Sequence, residues 1–313
     1  MENVSAVTSF IFTAYTEMED HRYLYISCFL FLYILILLAN SVLIIVIFSE
    51  KGLHKPMYLF ICNLAVNEIY GSTSLLPSIM NHLVSHNYGI SLTGCLLQIF
   101  FVHSYNAVEF TILAVMGYDR YVAICQPLHY HQLMSHRKMC ILIALSWVYP
   151  NIFFGFYFIL TIQQTFCGRF IERVYCTNFP LVRLSCLDTT LHSIIGLAFF
   201  FVLPGPQIFM ILFSYAQILR ICLLASKESQ AKALQTCTPH LLAVINYVFG
   251  VLFEIIQSRF NMTHVAYNAR IFMSLYFLII PPLFNPLIYG ISIQAIRVQI
   301  FKLFSGKKVN NLH

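Results

Sequence analysis

Residues 23–48 read YLYISCFLFLYILILLANSVLIIVIF and contain no charged side chain. A helix needs about 20 predominantly apolar residues to cross the hydrocarbon core of a bilayer. A backbone group left unpaired in hydrocarbon costs several kcal/mol, whereas a helix pairs these groups within its own segment. The stretch therefore predicts a helix that crosses a membrane.

Six further runs of comparable length and apolar character follow it along the chain. With 59% hydrophobic and only 10% charged residues, the 313-residue chain has too little polar surface for a water-soluble globule. The predicted fold class is an all-α membrane protein, a seven-transmembrane-helix bundle that forms a single domain of residues 1–313. The predicted helices are Tyr23–Phe48, Pro56–Leu83, Cys95–Cys125, Met139–Ile162, Ser193–Leu224, Ala233–Gln257 and Ile271–Ile293.

The distribution of lysine predicts the orientation of the bundle. With residues 1–22 outside the cell and residues 294–313 in the cytoplasm, all eight lysines face inward and six arginines remain outside, as the positive-inside rule expects. The net charge of +6 then mostly reflects this inner-side bias, helped by contact with anionic membrane lipid, and gives no reason to expect a nucleic-acid partner. Asn3 and Asn261 each begin a glycosylation sequon on the outer side.

Cysteine usage agrees with this orientation, because disulfides persist on the oxidising outer side. Four cysteines allow three pairings, and spacing alone does not choose among them. Three of the four lie in residues 163–192, the long outer connection, so this loop is predicted to be disulfide-stapled, either as a lid over the bundle or for stability alone. The four outer cysteines are Cys95, Cys167, Cys176 and Cys186.

The segment after the seventh predicted helix has one apolar face. Apolar residues between Ile296 and Phe304 alternate with Arg297, Gln299 and Lys302 at helical spacing. This pattern predicts a short amphipathic helix that lies on the inner membrane surface.

One motif, MGYDRYVAICQPLHY at residues 116–130, stands at the inner end of the third predicted helix. Four other motifs accompany it in order: LHKPMY at 53–58, SW at 146–147, KALQTCTPH at 232–240 and PPLFNPLIYG at 281–290. With these motifs the whole chain resembles the odorant receptors, a large branch of the rhodopsin-like class A G-protein-coupled receptors. Its loop and terminal patterns look closer to the fish-like branch associated with water-soluble odorants than to the branch for volatile ones.

The resemblance implies a multi-pass receptor of the plasma membrane with its N-terminus extracellular. Its partners would be a small-molecule odorant and a heterotrimeric G protein of the stimulatory olfactory type, which raises cyclic AMP. The resemblance also implies two disulfides, Cys95–Cys176 and Cys167–Cys186.

The resemblance places an intracellular switch at the inner ends of helices 3 and 7. Asp119 can hold Arg120 in the resting state and release it toward the G protein when the helices separate. In helix 7 a proline removes a backbone N–H, which makes either a hinge or a static kink. The predicted switch residues are Asp119, Arg120, Tyr121, Asn285, Pro286 and Tyr289.

Two carboxylates, Glu68 and Glu109, lie near the middle of the membrane within predicted helices. A buried charge is costly, so they should pair with a cation, share a proton or accept hydrogen bonds. Glu68 matches the family's core sodium site, and we expect Glu109 to complete it. No cofactor other than this structural sodium ion is expected.

A ligand site is expected in the outer half of the bundle. His103 lies roughly 25 Å above Arg120 along helix 3, and Arg259 reaches a similar depth in helix 6. An arginine there can clamp a carboxylate and a nearby histidine can donate another hydrogen bond, which favours a carboxylic acid. The remaining expected wall residues are Val102, Asn106, Val251, Leu252 and Ile255.

Arg259 and His103 could instead have purely structural roles. Arg259 could extend to water or pair with Glu254 or Asp188, and His103 could be a satisfied core residue. Glu254 could itself hold an amine, so an amine is the main rival ligand class.

Other function classes lack their signatures. A channel or transporter needs polar groups along several helices, an enzyme needs a nucleophile with a base or a metal cluster, and a retinal receptor needs a lysine in helix 7. For a channel or transporter only Glu68 and Glu109 qualify, the helices hold no such enzyme constellation, and helix 7 has no lysine. The alternative that remains is a non-sensory class A G-protein-coupled receptor for a metabolite or an amine.

Overall fold

Eleven α-helices and three short strands make up the described part of the chain, residues 7–260, 262 and 264–305 of a computed structural model. A 3-10 helix, Ala14–His21, leads into the first long helix. The helices are α1 Arg22–Ser49, α2 Pro56–Ser85, α3 Leu92–Cys125, α4 Tyr130–Leu133, α5 His136–Ile162, α6 Asn178–Val182, α7 Thr190–Val202, α8 Gly205–Leu224, α9 Lys227–Arg259, α10 Tyr267–Ser292 and α11 Gln294–Ser305. The strands are β1 Ser9–Phe12, β2 Gly89–Ser91 and β3 Phe170–Ile171.

Six of the described helical segments are long and apolar enough to cross a membrane, judged by length and composition. They are Ala14–Ser49, Leu92–Cys125, His136–Ile162, Gly205–Leu224, Lys227–Arg259 and Tyr267–Ser292. The seventh is α2, whose 30 residues include Asn63, Asn67 and Glu68. All three side chains are buried against other helices, so α2 is polar on the inside of the bundle. The seven-helix fold is confirmed.

The predicted helix Ser193–Leu224 is interrupted and forms two helices, α7 and α8. Pro204 has no N–H to donate to the preceding turn and its ring crowds that turn, and the helix is interrupted at this point. Other prolines, such as Pro150 in α5 and Pro239 in α9, are accommodated within a continuous helix. Leu203 and Pro204 nevertheless keep right-handed backbone angles, with φ of −74° and −81°. The two helices therefore form one span with a break in the middle.

Helix α3 lies at the centre and packs against α2, α5, α8 and α9. Lipid tails are as apolar as leucine, so helices in a membrane associate through close packing and interhelical hydrogen bonds. One such contact explains the SW motif: Trp147 Nε1 donates to Asn63 Oδ1 at 2.8 Å, and Asn63 Nδ2 donates to Ser146 Oγ at 3.2 Å. This motif fastens α5 to α2.

The three strands form a small sheet at the outer end, in the order β2-β1-β3. Strand β1, from the N-terminal segment, is the central strand; it pairs antiparallel with β2 and parallel with β3. Phe10 and Phe12 on β1 are fully buried. The sequence pattern did not predict this sheet, because β1 has only four residues and its partners are distant in sequence.

The ends of the chain complete the comparison with the predictions. Helix α11 matches the predicted amphipathic helix as far as Ser305: Ile296 is buried against the bundle, while Phe301 and Phe304 are exposed. Both sequon asparagines, Asn3 and Asn261, lie outside the described residues.

Candidate functional site

The outer end of the bundle is covered by a lid built from residues 163–192 and the N-terminal segment. Disulfides Cys95–Cys176 and Cys167–Cys186 are both present, as the resemblance implied. The first ties the loop to α3, where Gln98 Oε1 also accepts the N–H of Cys176 at 3.0 Å. Tyr15 donates its hydroxyl to the carbonyl of Val174 at 2.6 Å, so the N-terminal segment holds the same part of the loop.

Arg173 is a residue of this lid, and its guanidinium is buried against α9 and α10; the residue is only 7% exposed. Its Nη1 donates to Gln257 Oε1 at 2.6 Å, to Glu254 Oε2 at 3.3 Å and to Ser274 Oγ at 3.4 Å. Its Nη2 donates to Ser258 Oγ at 3.2 Å. Sequence reasoning missed Arg173, since nothing in the sequence distinguishes it from the other outer arginines.

Tyr175, two residues further along the loop, is also buried and donates its hydroxyl to the carbonyl of Ser274 at 2.9 Å. Burial raises the pKa of Tyr175 well above its ordinary value, and the nearby carboxylate of Glu254 raises it further. The phenol therefore stays neutral and acts as a donor to α10.

Arg259 lies at the outer end of α9, where its guanidinium stacks on the ring of Phe179 at 4.1 Å from the centroid. Neither of the carboxylates considered from sequence is its partner. Glu254 is paired with Arg173, and Asp188 accepts two hydrogen bonds from Thr190, at 2.9 and 2.6 Å, which lower the pKa of Asp188. Within the described ranges Arg259 has no ion pair, and its side chain is exposed.

His103 faces α5 and stacks on Phe154, with the ring centroids 4.5 Å apart. Its Nδ1 lies 3.0 Å from the carbonyl of Ile99, so this nitrogen carries the proton and donates. No contact between described residues joins His103 to Arg259. The geometry agrees with the interpretation of His103 as a satisfied core residue.

The other expected ligand residues are buried to different degrees. Val102 is buried, while Val251 and Ile255 are half-buried. Asn106 donates its amide to the carbonyl of Val102 at 2.9 Å, and its own carbonyl accepts the hydroxyl of Tyr247 at 3.1 Å. Leu252 is 45% exposed and lies on the outer surface of α9 rather than on an interior wall.

The two membrane carboxylates lie together at the middle of the bundle, both fully buried. Glu68 accepts hydrogen bonds from Asn285 Nδ2 at 2.5 Å and from the hydroxyl of Tyr105 at 2.9 Å. Asn285 Nδ2 also approaches Glu109 Oε1, at 3.4 Å. The cluster therefore joins α2, α3 and α10. The structure brings Glu68 and Glu109 together as expected, and it adds Asn285, which the sequence had placed only in the switch.

Several oxygens around this cluster are buried without a hydrogen-bond partner among the described residues: Glu109 Oε2, Asn285 Oδ1, Asn67 Oδ1 and the hydroxyl of Tyr289. Unpaired buried oxygens are costly. A hard monovalent cation takes oxygen ligands, and its charge would offset that of the two carboxylates. The residues present thus fit a sodium ion.

At the inner end, Asp119 is fully buried and holds Arg120, whose Nε donates to Asp119 Oδ2 at 3.1 Å. The hydroxyl of Tyr130, on α4, donates to Asp119 Oδ1 at 2.8 Å. Burial, together with the charge of Asp119, raises the pKa of Tyr130, so Tyr130 remains a donor. The Asp119–Arg120 ion pair is therefore formed in this structure.

An open cavity of about 360 Å³ lies next to this pair on the cytoplasmic side. Its wall includes Arg120 and residues from α2, α4, α9 and the segment between α10 and α11. Tyr121, the neighbour of Arg120, accepts the side-chain amide of Gln126 at 3.1 Å. The cavity is open at the inner end of the bundle.

His240, within the KALQTCTPH motif, connects α9 to both α3 and α8. Its Nε2 lies 2.8 Å from the carbonyl of Leu113 and must donate, which leaves Nδ1 to accept the hydroxyl of Tyr215 at 2.6 Å. In the sequence His240 stands out only as the last residue of the KALQTCTPH motif. Its burial, not visible in sequence, shows that it docks the inner half of α9 onto α3.

Comparison with known proteins points to one family. The olfactory receptor family matches residues 29–307. Relatives include olfactory receptor 4B13 of Mus musculus, 36% identical over 92% of this chain and 93% of that protein, and olfactory receptor 1D2 of Pongo pygmaeus, 33% identical over 99% and 98%. Among solved structures, squid rhodopsin has a similar fold, with a TM-score of 0.73, 18% identity and coverage of 96% of this chain and 91% of that chain.

Proposed function

Because this chain belongs to the olfactory receptor family, we propose that it binds a small organic acid beneath its outer lid and activates the stimulatory olfactory G protein. Family and fold make it an odorant-sensing G-protein-coupled receptor of the plasma membrane, and not an enzyme. The acid ligand and the particular G protein are the proposed part.

The observation that carries the signalling half of the proposal is the cytoplasmic cavity beside Arg120. Arg120 lies on the cavity wall and is held by Asp119, a buried carboxylate. Separation of the inner helix ends would enlarge the cavity and free the guanidinium for a G-protein contact. The switch and the docking cavity thus share one residue.

The proposed ligand class rests on the charges at the outer end. Arg259 has no carboxylate partner in the described parts of the chain, so its guanidinium is free to bind an anion. Glu254, which would have to hold an amine, is occupied by Arg173. These two facts favour an acid over an amine.

We also propose that a sodium ion binds between Glu68 and Glu109 and favours the resting state. Glu109 Oε2 and Asn285 Oδ1 would be its ligands, alongside Glu68. The ion would supply the positive charge that two buried carboxylates otherwise lack. Asn285 contacts both acids from α10, so the cluster would hold α10 against α2 and α3.

A cyclic-AMP assay in cells that display the receptor tests the function. Chain-matched panels of carboxylic acids, primary amines and neutral alcohols are applied, with an Arg120→Ala receptor of equal surface level as the control. We expect acids to raise cyclic AMP through the wild-type receptor and not through the variant. Responses to amines alone, or equal responses from the variant, would contradict the proposal.

A further inference from the structure

Arg173 joins the outer loop to two helices at once. It reaches Glu254, Gln257 and Ser258 on α9, and Ser274 on α10, with donor–acceptor distances between 2.6 and 3.4 Å. Gln257 extends the connection, since its Oε1 accepts the hydroxyl of Ser274 at 2.6 Å. One guanidinium is therefore the centre of a polar cluster spanning three parts of the chain.

The ion pair in this cluster is shielded from water on the arginine side. The Arg173 side chain is 7% exposed and that of Glu254 is 28% exposed. A shielded pair is screened weakly by salt, and removing one partner leaves the other uncompensated. The cluster is thus a firm connection rather than an exposed contact that forms and breaks freely.

The loop on which Arg173 lies is itself fixed to α3. Cys176, three residues later, forms the disulfide to Cys95, and Gln98 accepts its backbone N–H. Tyr175 between them donates to the carbonyl of Ser274. Residues 173–176 therefore connect α3 to α9 and α10 at the outer end.

The same helix α9 is docked at its inner half by His240, which donates to Leu113 of α3. Its 33 residues span about 50 Å at 1.5 Å per residue. Pro239 lies within α9, but the helix continues through it to Arg259, so the two halves form one element. When α9 turns as one body, its inner end cannot swing outward unless its outer end also turns. A contact that resists turning at the outer end therefore opposes opening of the G-protein cavity.

We propose that Arg173 is a positioning residue: its ion pair with Glu254 ties the lid to the outer half of α9 and so stabilises the resting arrangement at the inner end. The pair acts through α9 and touches neither the Asp119–Arg120 switch nor the cytoplasmic cavity. A ligand that loosens this connection from below the lid would promote activation.

Hydrogen–deuterium exchange of the purified receptor in nanodiscs tests the proposal without any ligand or G protein. The variants are Arg173→Gln, Glu254→Gln and the double substitution, with Arg169→Gln, an exposed arginine of the same loop, as the matched control. The signal is exchange in Lys227–His240, at the inner end of α9, with α1 as the internal reference.

We expect exchange at the inner end of α9 to rise about fivefold or more in both single variants, the lower end of ordinary coupling between sites. The double variant should show less than the sum of the two single effects, because both substitutions break the same ion pair. Arg169→Gln and the α1 reference should stay at the wild-type rate.

Three results would overturn the proposal: wild-type exchange in Glu254→Gln, effects of the two substitutions that simply add, or an equal rise in α1, which would mean general loosening. If Arg173→Gln does not fold, the Glu254→Gln comparison decides alone. Ligand-free nucleotide exchange on the G protein should rise in the same variants. This second measurement rests on the proposed function. If hydrogen exchange in α9 rises but nucleotide exchange does not, the result counts against coupling to the G protein and leaves the role of Arg173 standing.

Discussion

At the level of single residues, Arg259 and Arg173 show which features can be predicted from sequence and which cannot. In the sequence, Arg259 and Glu254 were recognisable as charges at the outer end of the sixth predicted helix, which is α9 in the structure. Glu68 and Glu109 were recognisable as charges within membrane helices. Which arginine pairs with Glu254 depends on how a long loop folds back, and the answer is Arg173. Local spacing carries no information about a contact across 81 residues.

Arg259→Ala should weaken responses to acids. A hydrogen bond to a charged group contributes about 1.5–3 kcal/mol, so loss of the guanidinium should raise the half-maximal acid concentration about tenfold to a hundredfold. The measurement is the cyclic-AMP dose response at matched surface level, with Arg169→Ala as the control. Unchanged acid sensitivity in Arg259→Ala would remove Arg259 from the ligand site.

Removal of sodium should raise ligand-free signalling of the wild-type receptor, because the ion is proposed to favour the resting state. Nucleotide exchange by reconstituted receptor is compared in sodium chloride and in choline chloride of equal ionic strength. Glu109→Gln, which lacks one of the proposed ligands, should respond little to this change. Identical rates in the two salts for the wild-type receptor would refute the sodium proposal.

Gly71 shows how a single residue positions this acid cluster. A Cβ at Gly71 would collide with the ring of Tyr105, whose hydroxyl donates to Glu68. Gly71→Ala should therefore displace Tyr105 and cost about 1–3 kcal/mol, a drop of several degrees in Tm. Gly155→Ala is the matched control, since nothing lies within 4 Å of its added Cβ. Equal melting temperatures for the two variants would contradict this packing.

At the level of elements, the long helices were predictable because apolar length is a local property of sequence. The break between α7 and α8 required knowing how the chain responds to Pro204, and the outer sheet required pairing of segments far apart in sequence. Strand β1 pairs with β3 across roughly half of the chain, so a four-residue pattern could not reveal it. The disulfide pairing came only from resemblance.

The central strand of the lid gives a test at this level. The N–H of Ile11 donates to the carbonyl of Arg169 at 2.8 Å, whereas its side chain is 42% exposed. Ile11→Pro removes this donor, and a backbone hydrogen bond contributes about 0.5–1.5 kcal/mol. We expect faster hydrogen exchange in residues 166–176 and a lower Tm. Ile11→Val keeps the N–H and should behave as wild type; equal effects of both would show that β1 does not hold the loop.

At the level of the whole molecule, polar groups occur in three layers within an apolar bundle. The lid and Arg173 occupy the outer layer, the acids with Asn285 the middle, and Asp119, Arg120 and His240 the inner layer. Helix α3 contributes to all three and packs against four neighbours, which makes it the common support. This arrangement suits a receptor that transmits a change at one membrane face to the other.

The most direct test of this account is nucleotide exchange on a purified olfactory G protein by the receptor reconstituted in nanodiscs, with and without the acid panel. We predict that at least one acid accelerates exchange by the wild-type receptor and has no effect on the Arg120→Ala variant of equal folded amount. Acceleration that persists in Arg120→Ala, or no acceleration by any acid of the panel, would contradict a receptor in which an acid bound under the lid opens the cavity at Arg120.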